Sequence, residues 1–257
     1  MTQPPPTAQR VLITGASKGI GRAVAETLAE EGCSLHLASR TEADLATARD
    51  EINERHGVQV TIHPLDLSDS ANVRQLVKDT EGIDILINNA GAIPGGDIEK
   101  VDEATWRAAW DLKVFGYINM CREVYPAMCA RGHGVIFNII GMAGLNPRAN
   151  YIAGSVGNAG LNALTIGLGG ESLDHGVRVL GIHPGPIETE RLTTLYKAMA
   201  ERELGDTSRY KEMYKGLPAG RPGTPEECAT VTAMLISDKS YWVNGCVIPV
   251  NGKGAGW

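Results

Sequence analysis

Seven short apolar runs recur along the chain, separated by longer stretches with one polar side. The runs are RVLITGAS (10–17), SLHLASR (34–40), VQVTIHPLDL (58–67), IDILINNAG (83–91), GVIFNII (134–140), VRVLGIHPG (177–185) and CVIPV (246–250). A strand with one wet face alternates apolar and polar residues. Runs this continuous belong to strands covered on both faces, the habit of parallel sheets. Helical patterns fill the intervals at 18–32, 42–57, 68–82, 97–111, 115–131, 150–171 and 224–237. Strand–helix alternation of this kind predicts an α/β fold with helices on both sides of a doubly wound parallel sheet. No repeat or interdomain linker divides the 257 residues. One domain over 10–257 is the expectation, large enough for a substantial core.

What remains of the chain excludes several classes of function. The start, MTQPPPTAQR, lacks the apolar region of a signal peptide, and its prolines predict a disordered tail over 1–9. No apolar run approaches the ~20 residues that a membrane helix needs. A net charge of −6 without a basic block argues against nucleic acid and against anionic membranes. The five cysteines are Cys33, Cys121, Cys129, Cys228 and Cys246. They form no CxxC pair, which points to buried thiols and a reducing cytoplasm rather than disulfides or zinc. No HxH, HExxH or acidic cluster suggests a catalytic metal. His36 and His63 read as core-edge residues of strands, and His183 as a loop residue before the Pro184–Gly185 turn.

Ligands of doubly wound sheets sit beyond the carboxyl ends of the strands. The first strand runs into TGASKGIG (14–21), whose Gly15, Gly19 and Gly21 precede a helix. This is the setting in which a glycine pattern marks a dinucleotide-binding, Rossmann-type turn. Gly15 permits the tight turn, Gly19 lets a phosphate approach the backbone, and Gly21 allows close helix–strand packing. The helix start then offers N–H groups and positive dipole to a pyrophosphate. Ser17 and Ile20 lie in the same turn. At the end of the second strand, NAD-binding folds place an acid for the ribose 2′-hydroxyl. Here the residue is Ser39, followed by Arg40, and Lys18 lies within reach. Two cations without a carboxylate favour a 2′-phosphate, hence NADP(H) over NAD(H).

TGASKGIG, NNAG (88–91), Asp66 after the third strand, a tyrosine opening a late helix (Tyr151) and HPGPIET (183–189) occur in an order that resembles the short-chain dehydrogenase/reductase family. The resemblance spans about 10–252. It implies an oxidoreductase acting on a small carbonyl compound or secondary alcohol. It further implies that Asp66 and Leu67 border the adenine and that Asn89, Ala90 and Gly91 line the cofactor's ribose side. Pro184, Gly185, Ile187 and Thr189 would hold the nicotinamide carboxamide, beside Tyr151. The segment 190–216 would be a substrate lid. Its Leu192, Leu195, Tyr196, Met199, Met213 and Tyr214 suit an apolar, medium-sized compound. Helix 150–171 carries Gly154, Gly157, Gly160, Gly167, Gly169 and Gly170. Each costs roughly 1 kcal/mol against alanine in a helix, so packing must offset them. In the family this helix forms a dimer interface, which implies a homodimer or homotetramer. A tight contact within the chain is the alternative.

The catalytic end departs from the family. Its relay is Asn, Ser, Tyr and Lys, the last two as YxxxK, and only Tyr151 matches. The lysine position is Ser155, the serine position is Gly141, and the asparagine position, seven residues after Trp106, is Lys113. The link from Gly141 to Tyr151 is about three residues short. A phenol with no cation beside it keeps its proton at neutral pH. It can still donate that proton to a carbonyl being reduced. We therefore expect Tyr151 as proton donor, with Lys113 supplying the charge that position 155 lacks. An impaired, cofactor-binding homologue is the alternative. AGSVG (153–157) approaches a hydrolase elbow but lacks the preceding strand. Ser39→Asp is expected to shift preference toward NAD, measured as the ratio of dissociation constants for the two cofactors.

Overall fold

The computed structural model describes residues 9–253. The tail expected over 1–9 lies outside the described residues except for Gln9. Seven parallel strands form a single sheet in the order β3-β2-β1-β4-β5-β6-β7. They are β1 (Arg10–Thr14), β2 (Ser34–Ser39), β3 (Val60–Pro64), β4 (Ile85–Asn88), β5 (Gly134–Ile139), β6 (Val177–Pro184) and β7 (Val247–Val250). The Rossmann-type architecture is as the sequence predicts. Register runs straight across the centre, with Val11 beside Leu35 on one side and Ile85 on the other.

Side chains of successive strand residues alternate between two cores. Val11, Ile13, Leu35, Leu37, Ile85 and Phe137 pack on one face, against α1 (Gly19–Glu30), α2 (Glu42–His56) and α8 (Pro225–Ile236). Leu12, Leu86, Ile136 and Val179 pack on the other, where α3 (Ser70–Asp79) and α5 (Gly116–Arg131) supply Val73, Leu76, Met120 and Val124. This double burial is why the runs read as continuously apolar. The helices start and stop where their caps dictate. Asp69 accepts from the Ala71 N–H at 2.7 Å to open α3. Thr224 and Glu227 form a reciprocal capping box around Pro225 at the start of α8.

Three local expectations change. The pattern at 97–111 yields a helix, α4, only over Glu103–Trp110, because Asp102 caps the Thr105 N–H at 2.8 Å. The expected break before 115 is instead a widened turn, Asp111–Phe115, that carries α4 into α5. His183 is no loop residue: it lies within β6 and is fully buried. In α6 (Ile152–Ser172) three glycines have reasons within the chain. A Cβ on Gly154 would strike the Tyr151 ring, on Gly157 Val114 and Trp110, and on Gly169 the backbone of Gly245. Gly160, Gly167 and Gly170 face open space.

His36 and His63 do meet at the sheet margin, Nδ1 to Nε2 at 3.0 Å. Burial first, then the charges of His63 and Arg10, push His36 down to about 4. Burial lowers His63 as well, against the pull of Asp79. Unfolded histidine takes up its proton near 6.5. Between pH 6.5 and 4 the unfolded chain therefore binds more protons, and stability is lost as pH falls through that window. We expect Tm to drop by about 2–4 °C from this pair between pH 7 and 5. Thermal melts of His36→Gln, showing a flatter pH dependence than the parent, check it.

Candidate active site

The site begins where β1 meets α1. Gly15 and Gly19 hold positive φ, 65° and 60°. A Cβ on Gly15 would come within 2.9 Å of Ala90 Cα, and one on Gly21 within 2.3 Å of the Gly15 carbonyl oxygen. Only glycine fits such approaches. Asn89 locks the turn: its Nδ2 donates to the carbonyls of Thr14 (3.1 Å) and Gly15 (2.9 Å). Its side chain is thus spent on the protein. No side chain caps the start of α1, so its first N–H groups remain available to an anion.

A cavity of about 700 Å³ opens beyond these elements. Its wall includes Gly15, Ser17, Lys18, Gly19 and Ile20 from the turn and Ser39 and Arg40 from the end of β2. Leu67, Asn89, Ala90, Gly91 and Thr189 complete the expected part. The Ser39 hydroxyl is buried and has no hydrogen-bond partner among the described residues. Arg40 is exposed. Lys18 reaches Glu190 at 3.3 Å, with both side chains largely in solvent. Asp44 also borders the cavity. An uncapped helix start, a glycine cradle and an orphaned hydroxyl flanked by cations fit a dinucleotide phosphate.

Asp66, Pro184, Gly185, Ile187, Tyr151 and Lys113 do not line this cavity. Asp66 Oδ1 accepts from the Ser68 N–H and hydroxyl at 3.0 and 2.8 Å, shaping the turn after β3. Pro184 ends β6. The Gly185 N–H donates to Val250 at 2.9 Å, and a Cβ there would crowd Asn251 at 2.8 Å. Ile187 bridges to Gly223. Thr189 accepts from the Leu192 N–H at 3.4 Å to cap α7 (Glu190–Leu204), the first helix of the expected lid.

Tyr151 caps α6, its ring lying on Gly154. It packs with Ile93, Ala153 and Trp110. The cation at its hydroxyl is Arg191 of α7, whose Nη2 lies 3.5 Å away and also donates to the Ile93 carbonyl. Lys113 is buried behind Gly91, where an added Cβ would lie 2.2 Å from the lysine Cδ. Its amine is 2.6 Å from the Tyr117 hydroxyl and donates to the Ile139 carbonyl at 2.8 Å. Burial, and secondarily the charge of Arg191, push this amine down to about 7.

Ser155 and Gly141, where the family's lysine and serine are expected, have structural roles. Ser155 is buried; its Oγ accepts from the Arg148 N–H at 2.9 Å and donates to the Tyr151 carbonyl at 3.0 Å. The hydroxyl thereby pins the link before Tyr151. Gly141 has φ 131°, and a Cβ there would meet Asn158 Nδ2 at 2.9 Å. Its carbonyl accepts from His183 Nδ1 at 2.8 Å, with Asn162 3.0 Å from Nε2. Burial, assisted by the charge of Lys113, lowers the His183 pKa against the opposing pull of the Gly141 carbonyl.

Residues 9–200 match the short chain dehydrogenase family. The chain belongs to that family. An acetoacetyl-CoA reductase of Allochromatium vinosum is 31% identical over 254 residues, spanning 95% of this chain and 98% of the relative. Nodulation protein G of Rhizobium sp. is 32% identical over 253 residues, 96% of each chain. Among solved structures, L-sorbose reductase from Gluconobacter frateurii, complexed with NADPH and L-sorbose, superposes with a TM-score of 0.88 at 29% identity, covering 95% of both chains. This short-chain dehydrogenase is an NAD(P)-dependent oxidoreductase of carbonyl and alcohol compounds. Among the described residues, no helix is long and apolar enough to cross a membrane.

Sequence reasoning missed Arg191, which no motif marks, and the wall residues Leu65, Ala92, Leu112 and Thr194. The signal for Arg191 was weak: a cation two residues past Thr189, in a segment read for its apolar content. The geometry also bears on restoring the relay. Gly141→Ser forces a side chain into a positive-φ backbone against Asn158. It is expected to destabilise the fold by about 1–3 kcal/mol, measured by urea denaturation.

Proposed function

We propose that this short-chain dehydrogenase reduces a carbonyl compound with NADP(H) in preference to NAD(H). The buried Ser39 hydroxyl carries this reading: it has no partner on the protein and lies on the cavity wall beside Arg40 and Lys18. Its small side chain leaves room, and the two cations offer charge, for a 2′-phosphate. Lys18 exchanges Glu190 for that phosphate at little cost, since an exposed ion pair contributes about 0–1 kcal/mol. Asp44, on the exposed rim, and Glu190 are the carboxylates of the wall that oppose this preference.

When bound, the nicotinamide supplies the hydride in reduction and takes it up in oxidation. The chain's part is to hold the carbonyl and to deliver a proton. Tyr151 donates that proton from its hydroxyl to the carbonyl oxygen as charge develops there. Pro184, Gly185, Ile187 and Thr189 hold the carboxamide end, while 190–216 covers the substrate. Lys113 supports the proton transfer from behind Gly91: its charge, present below about pH 7, favours the phenolate left on Tyr151. Tyr117 and the Ile139 carbonyl fix the amine in that place. Without the serine donor, one hydrogen bond to the substrate oxygen is missing, a loss of roughly 10²–10³ in rate by analogy with oxyanion donors.

We also propose a cytoplasmic homodimer or homotetramer formed through 150–171, where Gly160, Gly167 and Gly170 leave room for a second helix. Light scattering during size exclusion tests it, and a monomer at micromolar concentration refutes it.

Tyr151→Phe is expected to lower kcat for NADPH-dependent ketone reduction by roughly 10²–10⁴, while quenching of tryptophan fluorescence by NADPH persists. The parent's log kcat should decline as pH rises through about 7. Lys113→Met should remove that inflection. An unchanged profile would show that Lys113 has no part in the transfer.

A further inference from the structure

The surroundings of the Tyr151 hydroxyl are unusually positive for a chain of net charge −6. Arg191 lies 3.5 Å from the hydroxyl. Lys113 is near enough for Arg191 to disfavour its charged form. Arg148, whose backbone pairs with Ser155 one turn from Tyr151, acts electrostatically on Tyr196 of α7. Among the described residues, none of these three cations forms an ion pair with a carboxylate. Elsewhere arginines do find them: Arg107, Arg202, Arg209 and Arg221 each hold a carboxylate oxygen at 2.7–2.8 Å.

A guanidinium has five N–H donors in a planar fork. Arg191 engages the Ile93 carbonyl and the Tyr151 hydroxyl through Nη2 alone. Among the described residues its Nε and Nη1 make no hydrogen bond, so each can still donate singly to a carboxylate oxygen. Two requirements then meet at one place. The reacting carbonyl oxygen must reach the Tyr151 hydroxyl, and the Arg191 guanidinium lies beside it.

We propose that the substrate is a 2-oxo or 3-oxo carboxylic acid, its keto oxygen on Tyr151 and its carboxylate on the unengaged N–H donors of Arg191. The proposal rests on the reading of Tyr151 as proton donor and adds the substrate class. A carboxylate one or two bonds from the carbonyl carbon spans the short distance between the two groups. A more distant one overshoots the arginine. Beyond the acid, half-buried Leu192 and Tyr196 and exposed Leu195 of α7 suit an apolar remainder. Arg191 is the specificity-determining residue, delivered by α7 rather than by the helix that carries the tyrosine. In reduction, hydride from the cofactor and a proton from Tyr151 convert the keto group to an alcohol, and the carboxylate is unchanged.

Arg191 also borders the cofactor cavity, so the test separates substrate from cofactor. The probes are 2-oxo-4-phenylbutanoate and its methyl ester, alike except for the charge. With NADPH, the parent should favour the acid in kcat/KM by at least tenfold. Arg191→Met should reduce that acid-to-ester ratio about 10- to 100-fold, and Arg191→Lys by less, since it keeps charge without the fork. Calorimetry gives the NADPH dissociation constant of each variant. A parent that prefers the ester, a ratio unchanged in Arg191→Met, or a loss of NADPH affinity equal to the loss of acid kcat/KM would each overturn the proposal. If neither probe turns over, the reductase reading fails for them and binding decides the remainder. Calorimetric binding of the acid to the NADP-loaded parent, lost in Arg191→Met, supports the carboxylate site, and no binding to the parent refutes it.

Discussion

The hydroxyl of Thr14 sits at the point where the strand order reverses, and it ties the two halves of the sheet together. It donates to the Ile87 carbonyl at 3.4 Å and accepts from the N–H groups of Asn89 and Ala90 at 2.9 and 3.0 Å. The Asn89 amide returns two hydrogen bonds to Thr14 and Gly15. Each such bond contributes about 1 kcal/mol net, but leaving these groups unpaired inside the protein costs more. The glycine turn is thereby set before any ligand arrives. Its cradle and the uncapped start of α1 face the crevice that every open α/β sheet offers at such a reversal. The cofactor end of this short-chain dehydrogenase follows from that splice.

The link before Tyr151 has a local anchor: the Ser155 hydroxyl accepts from the Arg148 N–H. A lysine at this position would have to fit a site only 2% exposed and surrender that anchor. Gly141 has a parallel constraint: its positive φ and the Asn158 amide disfavour a side chain at the position where a serine is expected. Two cations stand on other elements, Lys113 in the widened turn and Arg191 in the first turn of α7.

The sheet and the glycine turn were legible because each rests on local chemistry. Continuous apolar runs report burial on both faces, Gly15 and Gly21 report approaches that only a hydrogen atom tolerates, and Gly19 a positive φ. Tyr151 was legible from its place at a helix start. The roles of Ser155 and Gly141 were not, since their partners Arg148, Asn158 and His183 are set by tertiary packing. Arg191 was hidden for the same reason: forty residues separate it from Tyr151, and nothing local marks a surface arginine as facing a phenol. The helix expected from 97 shows a smaller failure, in which the Asp102 cap outweighed the apolar pattern before it. The glycines of α6 divided, half of them answering to contacts within the chain and half to none.

The placement of Lys113 and Arg191 on different elements has an electrostatic consequence. Burial, and then the charge of Arg191, disfavours the charged form of the lysine. A protein ordinarily relieves such a clash with a carboxylate, and among the described residues none pairs with either. An anion bound at Arg191 would offset the repulsion and favour the protonated form of Lys113. By linkage, binding and proton uptake then reinforce one another. The charge on Lys113 would be fullest when an anion is seated at Arg191, and weakest in its absence. A fixed Tyr–Lys pair within one helix cannot make that distinction. It arises here because Lys113 is buried behind Gly91 and Arg191 stands on a separate helix.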